Sequence, residues 1–188
     1  MDFSDDVVVN VVYQGIKRGI QVTWGNECYD SCVKLIYCGI DAMACLSLPS
    51  ERDEVQGKDF IDWADKYLSP KLSDGARLVT GTELYSARCG LVHTHCAESD
   101  LTKKRGVRVV LYSYGRGRHI LWSKESKPPS ILLPMEVLRD AFFDAMNEFL
   151  PQVFSDVAMQ PVLEARLRKL AVVLPYSKLE QAVREGHF

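Results

Sequence analysis

The chain has 188 residues, 47% hydrophobic and 26% charged, with a formal net charge of -2. That length is one domain, large enough to bury a core without disulfide staples. The charge excludes a chain that is basic throughout, no stretch has the uninterrupted apolar length to span a membrane, and the acidic start Met1 to Asp6 has the wrong sign for a secretory signal.

In chain order, Val7 to Gln21 is apolar and β-branched and reads as a short helix. Asn26 is placed to cap the next helix, which runs to about Ser47 and is stopped by Pro49. Tyr29, Cys32, Val33, Ile36, Ile40 and Met43 fall at helical spacing in it, with further apolar residues around them, so it reads as a central buried helix. Glu51 to Gln56 is a charged loop. Lys58 to Leu68 is amphipathic, with Phe60, Trp63, Ala64 and Tyr67 inward and Asp59, Asp62, Asp65 and Lys66 outward. Thr80-Gly81-Thr82-Glu83 fits a capping box that opens a helix ending near Cys96.

The hydrophobic period then changes. Val107 to Tyr114 is β-branched and aromatic, Gly115-Arg116-Gly117 is a turn, and His119 to Trp122 returns, which predicts a β-hairpin. Lys127 to Ser130 reads as a linker. Pro134 suits the first turn of a helix to about Phe149, and short helices broken at Pro161 and Pro175 complete the chain. The expected class is mainly α: a helical bundle with one inserted β-hairpin near 107–122. It forms a single domain over 1–188, with the insertion at about 105–123 and C-terminal helices over 131–186.

Charge is unevenly spread. From Asp100 to His119 there are six basic residues (Lys103, Lys104, Arg105, Arg108, Arg116 and Arg118) against one acid, so this segment is +5 and the remainder -7. A basic patch on an acidic body suits an anionic partner on one face. The alternative is a solvated hairpin edge guarded by Lys and Arg. The six cysteines, Cys28, Cys32, Cys38, Cys45, Cys89 and Cys96, lie in apolar helical stretches and read as buried free thiols of a cytoplasmic protein.

The chemistry-bearing stretch is Arg88-Cys89-Gly90-Leu91-Val92-His93, with His95 two residues on. Arginine grips phosphate through paired hydrogen bonds. Histidine suits proton transfer near neutral pH. The helical neighbours of Arg88 (Leu84, Tyr85, Leu91 and Val92) are large and mostly apolar. The guanidinium therefore either pairs with an acid such as Asp41 or Asp62, or points into a cleft. On an ideal helix His93 lies about 140° around from Arg88 and about 7.5 Å along the axis, so the two do not share a face. A second copy across a two-fold axis would bring them together, which makes a homodimer the expectation. His95 returns to within about 20° of the arginine's face and competes with His93 for the role.

Glu83 to His93 resembles the motif helix of the HEPN superfamily, small helical domains many of which are metal-independent endoribonucleases of toxin–antitoxin, abortive-infection and RNA-processing systems. The family motif is Arg, four to six residues, then His. Arg88 and His93 match it, and His95 falls inside the permitted spacing. Many HEPN nucleases carry Asn, Asp or His directly after the arginine, where this chain has Cys89. The resemblance implies a homodimer that cleaves RNA by transesterification, with Arg88 and His93 or His95 catalytic, no cofactor, no metal, and an antitoxin or other protein as a further partner. Lys103, Lys104, Arg105, Arg108, Arg116 and Arg118 would then contact RNA, with Tyr112, Tyr114 and Trp122 as stacking surfaces or hairpin packing. The alternative is a non-catalytic HEPN-like domain that binds RNA, a nucleotide or a protein. A metal site at Cys89, His93 and Cys96 lacks the turn such sites use, and a Cys89–His93 dyad lacks an oxyanion hole.

Overall fold

The computed structural model describes residues 6–75, 77–115, 117–170, 180 and 183–185. The described chain is mainly helical. A π-helical stretch, Val9–Lys17, runs straight into α1 (Arg18–Gly25). Then come α2 (Tyr29–Leu46), α3 (Gly57–Trp63, continued as π-helical Ala64–Leu68), α4 (Gly81–Cys89, continued as π-helical Gly90–Thr94), and α5 (Asp100–Arg105). Three strands, β1 (Val109–Ser113), β2 (Leu121–Ser123) and β3 (Ser130–Pro134), precede α6 (Met135–Phe154) and α7 (Gln160–Lys169).

The central buried helix is α2, touching α1, α3, α6 and α7. Its Ile36, Tyr37, Ile40 and Met43 are fully buried, and they share one core with Phe60, Trp63, Phe142, Phe149, Leu163 and Leu167. Helices α2 and α6 approach closely because residue 39 is glycine: a Cβ there would stand 2.5 Å from the Phe142 ring. Asn26 does not cap α2. Its side-chain amide donates to the Val22 carbonyl at 2.8 Å and closes α1 instead. Asp59 does not face out. Its carboxylate accepts from the Gln56 N–H at 2.8 Å and pairs with Arg52, completing a capping box for α3.

The hairpin is corrected. β1 and β2 do not pair with each other; the sheet order is β1-β3-β2, with β1 parallel and β2 antiparallel to β3. The segment Ser130-Ile131-Leu132-Leu133-Pro134, read as linker and helix start, is the middle strand. Ile131 and Leu133 are fully buried and face the core, which is the reward for inserting this strand between the two predicted ones. Pro134 ends β3 and stands at the cap of α6, and that helix continues through Pro151 to Phe154. Pro161 lies in the first turn of α7, while Pro175 falls outside the described residues.

The capping box of α4 forms as its sequence predicts. Thr80 Oγ1 accepts from the Glu83 N–H at 3.3 Å, and Glu83 Oε2 accepts from the Thr80 N–H at 2.9 Å. Asp65 Oδ1 takes the Gly81 N–H at 2.6 Å. Thr80→Ala is expected to lower stability by about 1 kcal/mol, read as a reduced urea midpoint with an unchanged slope.

Candidate functional site

The site is built at the end of α4, where the helix changes type. From Gly90 to Thr94 the backbone is π-helical. A π-turn closes its hydrogen bonds across five residues rather than four, so each turn holds more residues. The segment closes at His95, which adopts the left-handed conformation (φ 55°, ψ 25°) and, with Cys96, directs its N–H at the Gly90 carbonyl. The widened turn carries His93 back beneath Arg88, and Arg88 Nη1 meets His93 Nε2 at 2.7 Å within one chain. The 140° separation of an ideal α-helix does not apply here. The geometric argument for a second copy falls with it.

Gly90 makes the closure feasible. A Cβ at this position would lie 2.4 Å from the Cys96 carbonyl oxygen and 3.3 Å from that of Glu98, both backbone atoms of the returning loop. That loop is pinned beyond it by a buried hydroxyl cluster, Ser86 Oγ to Ser99 Oγ at 2.6 Å and to Thr102 Oγ1 at 3.0 Å. Gly90→Ala is therefore expected to push the loop off the π-turn at a cost of about 1–3 kcal/mol. Thermal unfolding reads the cost, and the His93 ring NMR shift reads the displacement.

Arg88 is held from its other side by α2. Asp41 Oδ2 accepts from Arg88 Nε at 2.9 Å and lies 2.9 Å from Nη2. Of the two pairings open to this arginine, the one with Asp41 forms, and the same guanidinium still reaches the histidine. Burial raises the Asp41 carboxyl above its ordinary range, against the pull of Arg88 and His93. Burial also opposes the arginine's charge, but Asp41 outweighs it, and the guanidinium pKa rises. The Cys38 thiol beside them is pushed up by burial and by Asp41. Arginine only donates, so the hydrogen-bond inventory assigns His93 Nε2 as acceptor and the ring proton to Nδ1.

Two open clefts adjoin this contact. One of about 770 Å³ is lined by His93 with Cys89, Cys96 and the loop to Asp100. The other, about 450 Å³, is lined by Arg88, Asp41, Tyr85, Cys38 and Gln56 among others. Arg88 is half-buried and His93 is exposed, so the cation is shielded while the imidazole faces solvent.

His95 goes elsewhere. Its Nδ1 stands 3.0 Å from Lys34 Nζ on α2, and the left-handed backbone turns it away from Arg88. The basic patch is divided. Arg108 turns inward: it pairs with the buried Glu83, donates to the Leu78 carbonyl at 3.1 Å and stacks 4.7 Å from the Trp122 ring centroid. These partners commit it to the fold rather than to a phosphate. Arg118 is exposed and pairs with Asp140 at 2.8 Å. Lys103, Lys104 and Arg105 lie on α5; their side chains, like the whole of Arg116, fall outside the described residues.

Among the aromatics, Tyr112 bonds its hydroxyl to Tyr37 in the interior, and burial drives both phenols far up. Trp122 is covered by Arg108. Tyr114 is exposed and stacks on Tyr29 with ring centroids 4.2 Å apart. The six cysteines are free, but only Cys32 is fully buried; Cys28, Cys38 and Cys96 are exposed, against the expectation of buried thiols. Among the described residues no group of three or more His, Cys, Asp or Glu is placed to hold a metal ion, and no helix is long and apolar enough to cross a membrane.

Sequence reasoning missed Asp30 and Lys34 and gave Asp41 only as a candidate ion-pair partner. The signal was present: Asp30, Lys34, Cys38, Asp41 and Cys45 recur at four, four, three and four residues, a polar stripe along an otherwise buried helix. No family model, curated protein or solved structure matches this chain.

Proposed function

We propose that the chain is a metal-independent endoribonuclease that cleaves RNA by transesterification at Arg88 and His93. The observation that carries the reading is the 2.7 Å contact between Arg88 and His93 beside open clefts, with Asp41 holding the arginine in place. A scissile phosphate takes the Arg88 Nη1 donor from His93, which frees the Nε2 lone pair. Nε2 then accepts the proton of the ribose 2′-OH. The 2′-oxygen bonds to phosphorus, the P–O5′ bond breaks, and the leaving 5′-oxygen takes its proton from solvent. Arg88 stabilises the charge that builds on the non-bridging oxygens. The products carry 2′,3′-cyclic phosphate and 5′-hydroxyl ends. A homodimer is not needed for the two side chains to meet.

The second reading is an RNA-binding domain that does not cut. The bonds from Asp41 to Nε and Nη2 favour it, because they tie up one edge of the guanidinium in the resting protein. Incubation with single-stranded RNA in EDTA separates the two. The nuclease reading expects cleavage that survives chelation and falls by about 10²–10⁴-fold in His93→Ala. RNA that is bound but intact at high protein concentration, across several sequences, assigns the second reading.

A further inference from the structure

The end of α4 meets the polar stripe of α2 twice. At the first meeting Asp41, Arg88 and His93 form a carboxylate–cation–imidazole chain. At the second, about two to three turns nearer the start of α2, Asp30, Lys34 and His95 form another: Lys34 Nζ lies 2.5 Å from Asp30 Oδ2 and 3.0 Å from His95 Nδ1. The two imidazoles are two residues apart. In both chains a group that can only donate faces a ring nitrogen, so both rings accept there.

The second set is open to a ligand. Asp30 and His95 are exposed, and the Lys34 side chain is 25% exposed. His95 also holds a left-handed backbone, which costs a non-glycine residue of order 1 kcal/mol and persists where its surroundings enforce it. Glycine would close the turn without that cost. What histidine adds is an imidazole aimed at Lys34.

We propose that Lys34 and His95 form a second phosphate-binding point, which takes a phosphate flanking the scissile one on single-stranded RNA; this rests on the RNA-cleaving reading of the Arg88–His93 site. Lys34 and Asp41 are seven residues apart on α2, about 10.5 Å along its axis. That separation suits a short oligonucleotide laid across both points, not a mononucleotide at one. Lys34 leaves Asp30 to meet the phosphate, while His95 Nδ1 goes on accepting from the ammonium and holds it in place. Asp30 opposes binding by repelling the same phosphate.

Binding is measured with 2′-O-methyl RNA, which lacks the attacking hydroxyl and is not consumed. A pentanucleotide and a dinucleotide with a single phosphate are titrated by fluorescence anisotropy across a range of salt. Lys34→Ala and His95→Asn are expected to weaken the pentanucleotide about tenfold and, for Lys34→Ala, to lower the salt slope by about one, with the dinucleotide unaffected. Asp30→Asn is expected to tighten the pentanucleotide, a gain that a merely unfolded variant cannot mimic. Unchanged pentanucleotide affinity in Lys34→Ala, equal losses on both ligands, or no pentanucleotide binding by the parent would overturn the proposal. Lys34-dependent binding without cleavage of ordinary RNA would sink the nuclease reading and leave the phosphate point standing. Cleavage that is unaccompanied by any Lys34 effect on the pentanucleotide would do the reverse.

Discussion

Arg88→Ala is expected to lower RNA cleavage by about 10²–10³-fold, the usual cost of deleting a group that stabilises the developing charge. The same substitution removes the partner of Asp41, whose carboxyl burial already disfavours as an anion. Without the guanidinium that carboxyl rises further, so the variant gains stability relative to the parent as pH falls. The shift has this sign because a raised folded-state pKa favours folding when the acid is protonated. Arg88→Lys keeps the charge but loses the fork that spans Asp41 and phosphate, and it is expected to fall between the two. Asp41→Asn separates holding from chemistry: it loosens Arg88 without removing it, so KM rises more than kcat falls. Mixing Arg88→Ala with His93→Ala protein gives no recovery if the pair acts within one chain. Recovery on mixing would restore the two-fold composite cleft.

The second large effect is structural. Arg166 is 2% exposed and bonds three backbone carbonyls just past the end of α2: Leu48 and Pro49 at 2.7 Å and Arg52 at 2.9 Å. Those carbonyls belong to the loop just beyond the C-terminal end of α2, where the helix dipole favours a cation. Arg166→Met fills the volume but removes the side-chain donor from all three, leaving Pro49 with the Arg52 N–H alone. A hydrogen bond from a charged group is worth about 1.5–3 kcal/mol, so the loss is expected to exceed about 3 kcal/mol. Urea unfolding reads it directly. A loss below about 1 kcal/mol would mean that the arginine's own desolvation cancels its bonds.

The helices were legible because their apolar spacing and caps are local. Tyr29 to Met43 and Phe60 to Tyr67 bury the residues their period predicts, and Thr80 with Glu83 caps α4 as the four-residue motif implies. The sheet was not legible, because strand order is decided at long range. Val110 and Trp122 both stand opposite Ile131 in register, and nothing local to 107–122 announces a third strand that arrives later. Asn26 and Asp59 show the limit of reading a polar residue by type alone: each bonds a backbone group, one closing a helix and one opening the next.

The site was half legible. Arg88 and His93 stood out by residue type, and Asp41 was named as a partner for the arginine. Their meeting depends on a π-turn that residue spacing does not disclose, and on Gly90 accepting the Cys96 carbonyl against it. An ideal α-helix separates the two side chains, whereas the wider π-turn brings them together. His95 illustrates the converse. Seven residues on an ideal helix place it beside Arg88, but the helix ends at Thr94 and the left-handed residue after it points toward Lys34.

The chemistry of the cleaved ends tests the account most directly. Parent protein is incubated with single-stranded RNA in EDTA, and the 3′ ends of the fragments are identified by mass. The account predicts 2′,3′-cyclic phosphate ends that disappear in Arg88→Ala and in His93→Ala. Fragments with 3′-hydroxyl ends, or cleavage that persists in both variants, would contradict it.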